Sequence, residues 1–206
     1  MICACVSESL SRSALERYSM AEIRIDMVGH EAALPLFALR TGLIATCREG
    51  TYSRDERLSH LLAAADAGAS YIDVEYEADE EFKSVLRTKA AQRNAGVIVS
   101  FHDFESTPAT ERLETIIDES VAMGADIVKL VTTARDERDA ARVLSLYTRP
   151  RQKPLIAFCM GKPGMITRVA CVKLGAPFTY SSAEGMAQTA PDQISYEDMR
   201  MILGKF

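Results

Sequence analysis

The chain has 206 residues, of which 48% are apolar and 26% charged, and its formal net charge is −5. That length suits one domain with a sizeable core. The acidic balance argues against nucleic acid or an anionic membrane as the main partner, and no apolar run approaches the roughly 20 residues needed to span a bilayer.

Along the chain, short apolar runs alternate with longer amphipathic ones. The first, Ile2–Val6, lacks a basic flank and reads as a strand rather than a signal peptide. Further strands are predicted over Ala21–Ile25, Leu43–Thr46, Tyr71–Val74, Val97–Phe101, Ile127–Val131, Leu155–Phe158 and Pro177–Tyr180. Helical periodicity lies between them. In Arg54–Ala67 the apolar residues Leu58, Leu61, Leu62 and Ala65 recur every three or four positions, and Glu111–Met123 repeats the pattern with Leu113, Ile116, Ile117 and Val121. Gly68, Gly96, Gly124 and Gly175 each stand between a helical run and the next strand, as helix-ending glycines do. Strands alternating with helices in this way pair in parallel. Eight such units predict a single compact (β/α)8 TIM barrel over residues 1–206, short for the fold and therefore tightly looped. An open doubly wound sheet of the same elements is the alternative.

The predicted strand ends carry charges that a buried parallel strand normally lacks. Glu22 and Arg24 share one face of the second strand, Arg48 follows the third, Asp73 and Glu75 end the fourth, His102 ends the fifth and Lys129 lies within the sixth. In a barrel these ends meet in one active site. Lys129 is flanked by Ile127, Val128, Leu130 and Val131, and desolvation there would yield a neutral amine able to attack a carbonyl. The competing reading is an ion pair with Asp73 or Glu75. His102 is placed for proton transfer, and a carboxylate next to it, Glu75, would orient it and favour its charged form. His30 and His60, in a loop and an amphipathic helix, read as ordinary residues.

Arg24, Arg48 and Arg168 are the candidates for gripping an anion. Arg168 follows Cys159-Met160-Gly161-Lys162-Pro163-Gly164, which reads as a flexible substrate loop and lacks the phosphate-cradle pattern. Arg12, Arg40, Arg54 and Arg57 read as solvated surface. The five cysteines show no metal-site spacing and read as buried, reduced thiols of a cytoplasmic protein.

Read together, these residues resemble the type I 3-dehydroquinate dehydratases. The resemblance runs in order through Glu22-Ile23-Arg24-Ile25-Asp26, Thr46-Cys47-Arg48-Glu49-Gly50-Thr51-Tyr52, Asp73-Val74-Glu75, Ser100-Phe101-His102-Asp103-Phe104-Glu105-Ser106-Thr107-Pro108, Ala125-Asp126-Ile127-Val128-Lys129, Met160-Gly161-Lys162 with Arg168, and Ala190-Pro191-Asp192-Gln193. It implies that Lys129 forms a Schiff base, that His102 is the general acid and base, and that Glu75 orients it. It further implies that Glu22, Arg24, Arg48, Arg168, Thr189, Gln193 and Met160 contact the substrate, with Arg168 on its carboxylate. Thr189 stands where the family commonly has serine, and Asp192 where it has glycine. Either Cys5 or Ser7 matches a first-strand serine.

The implied reaction is the syn elimination of water from 3-dehydroquinate to give 3-dehydroshikimate. A protonated imine on Lys129 acidifies the C2 proton, and the enamine formed by its removal expels the C1 hydroxyl. This chemistry needs no metal or nucleotide cofactor, and the sequence offers no ligand cluster or dinucleotide motif for one. The rivals are a Schiff-base aldolase on the same barrel and a non-catalytic small-anion binding protein. A homodimer is an expectation that no residue pattern fixes.

Overall fold

The computed structural model describes residues 1–39 and 42–205; Arg40, read above as surface, lies outside them. The elements run β1 (Ile2–Val6), α1 (Arg12–Leu15), β2 (Met20–Arg24), α2 (Ile25–Val28), α3 (His30–Phe37), β3 (Leu43–Thr46), α4 (Arg54–Asp66), β4 (Tyr71–Glu75), α5 (Glu80–Arg93), β5 (Gly96–His102), α6 (Thr110–Ala122), β6 (Ile127–Thr133), α7 (Glu137–Ser145), β7 (Leu155–Met160), α8 (Met165–Lys173), β8 (Thr179–Ser182) and α9 (Tyr196–Leu203). The sheet order is β7-β6-β5-β4-β3-β2-β1-β8, and the pairings are parallel. Each strand lies beside its sequence neighbour, and the last returns to the first. This wraps the sheet into a (β/α)8 barrel and excludes the doubly wound alternative, whose strand order reverses at a switch point. Among the described residues no ladder joins β7 to β8. Phe158 and Tyr180, one from each of these strands, approach to 6.2 Å between ring centroids. The economy expected of so short a barrel shows in α1, which has four residues.

Local chemistry sets most element ends. Ser53 and Glu56 form a reciprocal capping box at the start of α4. Gly68, Gly124 and Gly175 follow α4, α6 and α8 at φ +107°, +87° and +116°, as expected of residues just past a helix end. Gly96 departs from that expectation. Asn94 takes the left-handed position after α5 at φ 54°, and Gly96 opens β5. A Cβ on Gly96 would lie 2.6 Å from the Tyr71 ring, so close packing requires the glycine. The last strand starts two residues later than predicted, at Thr179, because Pro177 has no N–H to give to a ladder.

Strand alternation and register sort the inward side chains into layers, each drawn from alternate strands. Met20, Tyr71 and Ile127 from the even strands, Phe178 just before β8, and Cys3, Ile44, Ile98 and Ile156 from the odd strands form an apolar floor. The next even layer is Glu22, Asp73, Lys129 and Tyr180, and the odd layer above it is Cys5, Thr46, Ser100 and Phe158. Polarity therefore begins abruptly one layer above the apolar floor. A second apolar shell, including Phe37, Leu61, Phe82, Leu86, Ile116 and Leu146, fills the space between barrel and helices.

Candidate active site

A cavity of about 440 Å3 opens at the carboxyl ends of the strands. Glu22, Arg24, Arg48, Glu75, His102, Lys129, Met160, Arg168, Thr189 and Gln193 all lie on its wall.

Lys129 is buried at the cavity floor. Its Nζ donates to Asp73 Oδ2 at 3.1 Å and Glu22 Oε1 at 3.4 Å. The lysine is therefore one charge in a buried triad: of the two readings its strand sequence allowed, the ion pair with Asp73 is the one present, completed by Glu22 and not by Glu75. The carboxylates are themselves tied: Thr46 Oγ1 donates to Glu22 Oε1 at 2.9 Å, and Ser100 Oγ donates to Asp73 Oδ1 at 2.6 Å. Burial alone would raise the Asp73 carboxyl, but Arg48 and Lys129 outweigh it and hold it well below the usual carboxylate range. Glu22 is lowered too: burial opposes its charge, and Lys129 overcomes that penalty.

His102 is partly exposed into the cavity. Burial pushes its imidazole well below its ordinary value, and the cations Arg48 and Lys129 push it further. The ring is thus neutral near pH 7, opposite to the charged form expected from a carboxylate neighbour. Register explains the difference. Glu75 pairs with Ser100, two residues short of His102, and no hydrogen bond joins Glu75 to His102 among the described residues. Glu75 instead pairs with Arg57 and stands 3.6 Å from Arg48. Arg57, read from the sequence as surface, is buried; its Nε donates to the Cys47 carbonyl at 3.0 Å, and its guanidinium lies 5.5 Å from the Phe82 ring centre.

The three candidate anion-binding arginines differ in what they already hold. Arg24 forks onto Asp26 with contacts of 3.0 and 2.6 Å. Arg48 donates to Asp73 Oδ1 at 2.7 Å. Arg168 is 1% exposed, and its Nε and Nη2 have no partner among the described residues. Its guanidinium rests 4.6 Å from the centre of the Phe158 ring, and burial lowers its pKa. A buried cation without a partner is costly unless an anion completes it.

Residues after β8 close one side of the cavity. Gln193 Oε1 accepts from the Thr189 N–H at 2.9 Å and from Thr189 Oγ1 at 3.1 Å, while its Nε2 donates to Cys5 Sγ at 3.2 Å. This decides the first-strand alternative: Cys5 lines the cavity, whereas Ser7 Oγ bonds the Ala187 carbonyl. Asp192 adopts φ 52°, a left-handed conformation that favours glycine. Lys162–Gly164 forms a 3-10 turn, braced where Thr167 Oγ1 meets Gly164 O at 2.5 Å and Cys159 N at 2.7 Å; it is not an open loop. Tyr180 was not singled out from the sequence, and Asp73 was named only as a charged strand end and as an alternative ion-pair partner of Lys129. Their place in the even-strand layer was the available signal.

A family model described as type I 3-dehydroquinase matches residues 6–205. A 3-dehydroquinate dehydratase of Desulfotalea psychrophila is 39% identical over 220 residues, covering 100% of this chain and 97% of the relative. One from Thermococcus gammatolerans is 39% identical over 188 residues, covering 88% and 85%. A type I 3-dehydroquinate dehydratase structure from Clostridium difficile, with covalently modified comenic acid, has a TM-score of 0.85 at 23% identity, covering 99% of this chain and 90% of that one. A deoxyribose phosphate aldolase from Aeropyrum pernix shares the fold at a TM-score of 0.60 and 20% identity, covering 88% and 85%. The fold is thus shared beyond one family, but the family match spans nearly the whole chain and a relative aligns along its full length: this chain is an enzyme of the type I 3-dehydroquinate dehydratase family.

Proposed function

We propose that the chain removes water from 3-dehydroquinate by syn elimination through a Schiff base on Lys129, the third step of the shikimate pathway. The observation that carries this reading is the pairing, in one cavity, of a buried lysine with a buried arginine, Arg168, whose Nε and Nη2 have no partner among the described residues. The substrate carboxylate sits on Arg168, which directs the ring ketone toward Lys129. Neutral His102 takes the proton that the Lys129 ammonium must lose before its nitrogen can add to the ketone, and the two protons shed from nitrogen pass through it to the departing oxygen, while Glu22 and Asp73 stay charged and hold the nitrogen in place. Loss of water from the adduct gives the iminium. His102, neutral by virtue of burial and its cationic neighbours, accepts the C2 proton. The resulting enamine expels the C1 oxygen, which leaves as water with the proton carried by His102. Hydrolysis of the conjugated iminium returns the amine and releases the enone. Glu75 serves by holding Arg48 at the wall, with Arg57 pairing to it from behind. The five free, buried thiols support a reducing, cytoplasmic setting. Ile166 and Met201, exposed on α8 and α9, supply apolar surface for a homodimer.

Incubation with 3-dehydroquinate and borohydride should add the reduced ligand's mass to the protein, with the modified peptide containing Lys129. Lys129→Ala should remove both the adduct and turnover. Full turnover in that variant, or an unmodified wild-type mass, would overturn the covalent route. Appearance of the enone's ultraviolet absorbance separates dehydration from aldol cleavage or simple binding.

A further inference from the structure

Tyr180 fills the one position in the Lys129 layer that the steps above leave without a task. Glu22 from β2, Asp73 from β4, Lys129 from β6 and Tyr180 from β8 form that layer, and Lys129 Nζ lies 4.1 Å from the Tyr180 ring centre. The tyrosine is 3% exposed and borders the cavity. Its hydroxyl is buried with no hydrogen-bond partner among the described residues. The polar end of the side chain thus has no local role, whereas its ring face meets the reacting nitrogen. Phe158 and Phe178 flank that ring at 6.2 and 5.5 Å and fix its plane.

We propose that the face of Tyr180 is a catalytic contact that stabilises the cationic nitrogen of Lys129, above all in the iminium. This inference rests on the Schiff-base reading. An ammonium has three N–H donors and serves Glu22 and Asp73 together, whereas a protonated ketimine nitrogen keeps one. On imine formation one carboxylate contact must therefore lose its hydrogen bond. Attraction to an aromatic face depends on positive charge near the ring and not on the number of N–H bonds, so it persists when the hydrogen bond is lost. Burial strengthens it, because no water competes for the cation. The barrel thus supplies hydrogen-bonding anions to the resting lysine and a quadrupole to the intermediate. Phe158 repeats the arrangement beneath Arg168 at 4.6 Å, so adjacent aromatic rings face two of the site's cations, Lys129 and Arg168.

The test measures kcat and the fraction of protein trapped by borohydride during turnover. Tyr180→Leu should lower both about tenfold, the scale of a desolvated cation–ring contact. Tyr180→Phe, which keeps the face and drops the unpartnered hydroxyl, should restore most of the loss. Mono-, di- and trifluorinated phenylalanine at position 180 preserve shape while draining the ring face. With them, kcat and trapped fraction should decline stepwise with fluorination at constant melting temperature. This series decides the matter even if the leucine variant fails to fold. Equal kcat and trapping across the fluorinated series would overturn the inference while leaving the Schiff base intact. Absence of any Lys129 adduct in the wild-type protein would instead bring down the reading beneath it.

Discussion

Arg168 shows most sharply how function costs stability. The reason to assign it to an anion is energetic: its Nε and Nη2 are buried without partners among the described residues, whereas Arg24 and Arg48 already hold Asp26 and Asp73. Arg168→Met should therefore raise the melting temperature of the free protein, because it removes an uncompensated buried charge. The same change should lower kcat/KM by about 100-fold or more, the value of charge-assisted hydrogen bonds to a carboxylate. A fall in melting temperature with kcat/KM unchanged would show that the guanidinium serves packing alone. Lys129, His102 and Arg168 were legible from their order along the chain. The pairing of Glu75 was not, because contacts between strands depend on register: Glu75 stands opposite Ser100, and Arg57 reaches it from α4.

The segment after β8 depends on one backbone angle. Asp192 holds φ 52°, and the turn it forms precedes Gln193, whose side chain ties Thr189 to Cys5. A β-branched side chain resists that conformation. Asp192→Val should raise KM for 3-dehydroquinate about tenfold, from a penalty of roughly 1–2 kcal/mol on the closed segment, while Asp192→Gly should hold KM at or below the parent value. Steady-state kinetics on the two variants check this, and equal KM values would sink it. Strand centres were readable from apolar runs because both faces of a barrel strand are buried. Ends were less so. Pro177 delayed β8, and Asn94 took the helix-ending role assigned to Gly96.

Across the whole molecule, proton linkage sets the pH range of stability. His102 and His60 both have lowered folded-state pKa values, chiefly through burial. Below the ordinary imidazole value of about 6.5 the unfolded chain binds protons that the native protein does not, so stability falls on acidification through that range. Glu22 and Asp73 are also lowered, and their contribution is present above about pH 4 and lost beneath it. Melting temperature should therefore decline in two stages from neutral pH downward. His60→Gln, at the stacked His30–His60 contact between α3 and α4, should flatten the first stage only. A flat profile between about pH 7 and 5 would contradict the lowered imidazole pKa values of His102 and His60.

By itself, the sequence determined the alternation of strands and helices, the parallel sheet, and the charged strand ends that meet in one cavity. These follow from periodicities of two and 3.6 residues and from the cost of charge in a buried strand, which are local properties. Only the tertiary structure decided that Lys129 is clasped by two carboxylates and an aromatic face, that His102 is neutral, and that Arg57 is buried beside Glu75. Those facts depend on which strands alternate around the barrel axis and on the electrostatic balance among groups far apart in the chain. No local pattern encodes that balance.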